Sequence, residues 1–106
     1  MSQRLKSVSE IVAKANDRLY AKHSDIDTLM GMMDSVLRKQ GIAADAVTVD
    51  CVVRDKKLVF LLHDEAPDLI TVALGNKEGD IHSSSEYALD SLTEDVVLQL
   101  MEMHFI

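Results

Sequence analysis

Val47-Thr48-Val49-Asp50-Cys51-Val52-Val53-Arg54-Asp55-Lys56-Lys57-Leu58-Val59-Phe60-Leu61-Leu62 (residues 47–62) is the stretch on which the fold turns. From Ala46 onward, apolar side chains alternate with Thr48, Asp50 and Arg54, the period of two that marks a half-buried strand. Four charged residues then interrupt the pattern, and Leu58–Leu62 resumes it as a second strand. The spacing predicts a β-hairpin with a two-residue loop at Asp55–Lys56, although the glycine that such turns prefer is missing. In that register Val53 faces Leu58, Cys51 faces Phe60 and Val49 faces Leu62, all on one side. On the other side Val52 faces Val59, and Leu61 stands opposite Asp50. Val59 and Leu61 therefore need cover of their own, from a helix on the second face or from a second copy of the chain.

Before the hairpin the period is helical. Leu5, Val8, Ile11, Val12, Ala15 and Leu19 recur at spacings of three and four, predicting an amphipathic helix over 3–22. Ser24 with Asp27 resembles a capping box, Ile26, Leu29, Met30, Met33, Val36 and Leu37 share a face, and Gly41 is placed as a stop. A second helix over about 24–40 would form an antiparallel hairpin with the first. After residue 62, His63–Asp68 reads as a turn closed by Pro67, and Leu69–Leu74 as a third strand. Gly75–Gly79 is a second turn. Ile81–Glu86 follows as a weak fourth strand whose three serines suit a sheet edge. Ser91 as N-cap and Glu94 at N3 then open a last helix with Leu92, Val96, Leu100 and Met103 in its stripe, widened by Val97 and Met101. The expected architecture is a single α+β domain over 1–106. It has an N-terminal helical hairpin, an antiparallel meander of three to four strands and a C-terminal helix, in the order α-α-β-β-β-(β)-α.

Composition narrows the function classes. Residues 1–23 carry five basic against two acidic residues, a net of +3, which leaves six basic against sixteen acidic, a net of −10, for the rest. A basic helix beside an acidic body either docks internally or is offered to a partner, with Arg4, Arg18 and Lys22 along its flank. The overall net charge of −7 disfavours an anionic duplex or membrane surface as the main partner. The lone Cys51 fits a reducing cytoplasm. The charged first helix resembles neither a signal peptide nor an anchor.

Few residues invite chemistry. His63, Asp64 and Glu65, with His82, have metal-ligating side chains but match no established ligand spacing, and solvated turn residues are the simpler account. Cys51 lies in the inward register, where an unpaired cysteine acts as a small apolar side chain. Ser83–Ser85 lacks any activating neighbour in sequence. Met30, Met33, Met101 and Met103 sit in or near helical stripes and read as core, with Met32 the exception. The sequence thus implies no cofactor and no enzymatic constellation. It reads as a small cytoplasmic protein acting by protein–protein contact, as a homodimer or with an unknown protein, with Val52, Val59 and Leu61 in the interface. The alternatives are a small-ligand or metal-binding protein using the 63–68 turn and His82, or a nucleic-acid-associated regulator using the basic helix.

Overall fold

The computed structural model describes residues 2–106. Its elements are α1 (Gln3–Lys22), β1 (Leu29–Met33), α2 (Val36–Lys39), β2 (Ala44–Cys51), β3 (Lys56–His63), β4 (Leu69–Gly75), β5 (Ile81–Ala88) and α3 (Glu94–Phe105). The α+β class is as expected, but the sheet has five strands, all antiparallel and ordered β1-β2-β3-β4-β5. α1 follows its periodicity. Ser2 caps it by accepting the Leu5 N–H at 3.1 Å, and Leu5, Val8, Val12, Ala15 and Leu19 form the buried stripe.

The N-terminal helical hairpin does not form. In place of a helix over 24–40 the chain makes a turn, strand β1, and the single turn α2. A helix there would carry Gly31 in its interior, at about 1 kcal/mol relative to alanine. As a strand, the same residues pair with β2 and satisfy a backbone edge that would otherwise lie open beside the core residues Val47 and Val49. Gly31 lies opposite Thr48, and a Cβ there would stand 3.0 Å from the threonine Oγ1. The helix stop survives: Gly41 follows the C-cap Gln40 with a φ of +85°.

The central hairpin forms in a different register. Val52–Arg54 makes a turn of 3₁₀ helix and Asp55 takes a left-handed φ of +54°, so four residues connect the strands. Cys51 then faces Lys56, Val49 faces Leu58 and Val47 faces Phe60. The change moves each partner by an even number of residues, so the inward set is unaltered. Its casualties are at the turn. Val53 is 87% exposed, and Val52 pairs with nothing in the sheet. Val59 lies between Thr48 and Ala73, and Leu61 lies opposite Ala46 instead of Asp50.

α3 starts later than the capping box predicts. Thr93 is the N-cap, its Oγ1 accepting the Val96 N–H at 3.2 Å, while Ser91 belongs to a 3₁₀ turn at Leu89–Ser91. Glu94 and Asp95 then face the positive end of the helix dipole. The buried stripe becomes Val97, Leu98, Met101 and Phe105, and Met103 is 79% exposed.

α1 and α3 pack side by side on one face of the sheet. The core between them holds Val47, Val49, Cys51, Leu58, Phe60, Leu62, Ile70 and Val72 together with the two helical stripes. Ala44, Ala46 and Ala73 are buried but lie outside this core, on the opposite face. β5 is the polar edge, as its serines suggest. The two candidate caps give contrasting variants. Thr93→Ala should lower stability by about 1 kcal/mol, and Ser91→Ala by no more than a few tenths, as read by urea denaturation. An equal loss in both would count against this placement of the cap.

Candidate interaction surface

The basic flank of α1 is spent inside the fold. Arg18 Nη1 lies 2.7 Å from Asp95 Oδ1 and 3.9 Å from Glu94 Oε1, and Lys22 Nζ lies 2.9 Å from Glu102 Oε2. His23 Nε2 approaches the same Glu102 oxygen at 2.9 Å, so the ring nitrogen donates and the carboxylate accepts. These contacts tie α1 to α3. The hydrogen bond from His23, followed by that from Lys22, lowers the Glu102 pKa from its ordinary value of 4.5. Arg4 donates to the carbonyls of His63 at 3.0 Å and Ala66 at 3.3 Å, which fastens α1 to the turn between β3 and β4. Arg4, Arg18 and Lys22 therefore serve internal docking, the first of the two roles open to a basic helix. Single exposed pairs of this kind contribute less than about 1 kcal/mol each.

Asp64 has a structural partner. Arg38 of α2 donates to both its oxygens, at 2.7 and 2.8 Å, and to both oxygens of the buried Asp45, at 3.0 and 3.1 Å. The hydrogen bond from Arg38 holds the Asp64 carboxyl below its ordinary 3.8, and the two carboxylates raise the Arg38 pKa. This clamp was not legible as such, since nothing in the spacing of Arg38, Asp45 and Asp64 announces a shared contact. The metal-like grouping comes apart. His63 ends β3, while His82 begins β5 beside Gly75 and Ile81, at the opposite end of the sheet and roughly 20 Å away along the strands. Among the described residues no three His, Cys, Asp or Glu side chains gather closely enough to hold a metal ion. Cys51 is buried, as expected, and Ser83–Ser85 lie exposed along β5.

His104 is a contact the sequence did not flag. Its Nε2 lies 3.1 Å from both Lys57 O and Gly75 O, so the N–H is shared between two carbonyls where α3 ends over β3 and β4. Burial is the main cause that lowers its pKa from 6.5.

The face opposite the helices forms three cross-strand rows. Met33, Ala46, Leu61, Thr71 and Glu86 make the first, and Gly31, Thr48, Val59, Ala73 and Ser84 the second. Leu29, Asp50, Lys57, Gly75 and Ile81 make the third. Small residues sit low in the middle, and Val59 and Leu61 stand half-buried above them. Lys57 Nζ approaches Asp50 Oδ1 at 3.3 Å, but that buried oxygen has no hydrogen bond of good geometry among the described residues. Val52, 48% exposed in its turn, falls off the end of this face. No helix among the described residues is long and apolar enough to cross a membrane.

The three lowered pKa values share one sign. His104, Glu102 and Asp64 each bind a proton less readily in the fold than in the unfolded chain, so acid favours unfolding. The His104 contribution is complete above its ordinary 6.5 and declines below it, and the carboxylate contributions are lost as pH falls through 4.5 and 3.8. The urea midpoint should therefore fall between pH 7 and pH 5. His104→Gln, which keeps a donor but does not titrate, should fall less steeply over that interval. Parallel slopes would remove His104 from the account.

Comparison with protein-family models, with curated proteins and with solved structures found no match to this chain.

Proposed function

We propose that the protein acts through protein–protein contact and not by catalysis, and that a second copy of the chain docks on the open face of its sheet. The observation that carries this reading is the five-strand face opposite α1 and α3, with Val59 and Leu61 partly exposed at its centre and neither of those helices packed over it.

Charge favours a second copy as the occupant. The chain carries −7, yet on this face Lys57 offsets Asp50, and Glu86 is the remaining carboxylate of the three rows. Two copies can meet here without bringing their acidic surfaces together. Strands spaced about 4.8 Å apart give three rows a footprint of roughly 500 Å². Doubled, that reaches the low end of specific interfaces, which favours a weak dimer with an affinity in the micromolar range. The unpaired, buried Cys51 is in keeping with a reducing cytoplasm. Groups able to do chemistry are occupied structurally: Asp64 and Glu102 in ion pairs, His104 on backbone carbonyls.

Val59→Lys places a charge at the centre of the face without entering the helix-side core. The variant should keep its circular dichroism spectrum and remain monomeric in light scattering, at concentrations where the wild type shows dimer. A variant that fails to fold would assign Val59 to the monomer's own packing. A wild type that stays monomeric at millimolar concentration would remove the homodimer.

A further inference from the structure

The two edges of the sheet are built differently. β5 presents His82, Ser83, Ser84, Ser85 and Glu86, all exposed, the polar edge that discourages pairing with another strand. β1 is Leu29-Met30-Gly31-Met32-Met33, without a charge or a proline, and pairs only with β2. On its free side, alternate backbone N–H and C=O groups face outward. Leu29 is 66% and Met32 47% exposed. Alongside, α1 and β1 enclose a groove of about 380 Å³ lined by Ser9, Glu10, Ala13, Met30, Gly31 and Met32. A strand added to β1 would turn alternate side chains into this groove.

Four carboxylates stand around the groove. Glu10 lines it, Asp17 follows on the same side of α1, and Asp27 and Asp34 flank β1 in sequence. All four are exposed, and none forms an ion pair among the described residues. Lys6 and Lys14 stand within a turn of Glu10 and Asp17 on that side of the helix, so the unbalanced charge beside β1 is that of Asp27 and Asp34. This charge selects the occupant. A second copy, paired antiparallel about a two-fold at Gly31, would bring the Asp27 of each chain beside the Asp34 of the other. Like charges so placed oppose association.

We infer that β1 and the adjoining groove dock an extended segment of a different protein, aliphatic at alternate positions and flanked by lysine or arginine, as a sixth strand of the sheet. The main chain of the segment meets the free edge of β1, its aliphatic side chains enter between Ala13 and Met30, and its basic ends meet Asp27 and Asp34. The groove lies on the helix side of β1, opposite the face proposed for the dimer, and binding there does not require the dimer.

The probe is a fluorescein-labelled peptide, Arg-Lys-Leu-Thr-Val-Thr-Leu-Lys-Arg, with a counterpart in which glutamate replaces each basic residue. Fluorescence polarisation at low ionic strength should show saturable binding of the basic peptide, and binding of the acidic one weaker by about tenfold or more. Hydrogen exchange should slow at residues 29–33 and not at 81–88. Asp27→Asn with Asp34→Asn, both exposed and outside the core, should weaken binding severalfold with the fold intact. Val59→Lys should bind like the wild type, so loss of the dimer and loss of this site are read separately. No binding at millimolar peptide, equal binding of the acidic peptide, or protection at 81–88 would overturn the site. Concentration-dependent protection of 29–33 without peptide would assign the edge to a second copy and overturn it equally.

Discussion

The structure depends on the burial of one face of a five-strand meander beneath two helices. Phe60 lies fully buried on the central strand, with Val47 and Val72 paired to either side of it, in the core that both helices roof. With few aromatic residues, the chain builds this core from leucine, valine, isoleucine and methionine, each contributing about 1.5–3 kcal/mol when fully buried. Once α1 and α3 are committed to that face, the opposite face has no long helix left to cover it. The alanines, threonines and two glycines in its rows keep that face low without one.

The sequence was most legible where burial on one face imposed a period. α1, the inward residues of β2 and β3, the polar edge strand and the internal use of the α1 cations all follow from spacing or charge. It was least legible where a local signal competed with a pairing between distant residues. Residues 24–40 carry helical spacing, yet the open edge of β2 recruits Leu29–Met33 as a strand, and that demand is invisible in a local window. The hairpin turn lacked glycine, and four residues with Asp55 in a left-handed conformation did what two could not. Ser91 had the capping-box spacing, but the helix opens two residues later, with Thr93 accepting the Val96 N–H.

For the interaction surface, Val59 and Leu61 were visible because their strand is apolar on both faces. Val52 was misplaced by the register. The groove beside β1 was invisible, since β1 itself had been read as helix. The Arg38 clamp on Asp45 and Asp64 was invisible as well, because it joins residues of α2, β2 and the turn after β3 that only the folded chain brings together.

The seam between α1 and α3 also bears on how the molecule comes apart. Each strand pairs with its neighbour in sequence, so the sheet closes through short loops at small entropic cost. The roof is different in kind: His23 and Glu102, which meet across it, are 79 residues apart. Contacts of that separation form late and open early, and here protons act on the same seam through Glu102. Acid strong enough to protonate Glu102, below the ordinary 4.5 of its carboxyl, should thus lift the helices before it unzips the strands. The intermediate would bare the aliphatic side of an intact sheet, the state in which this chain is most prone to aggregate.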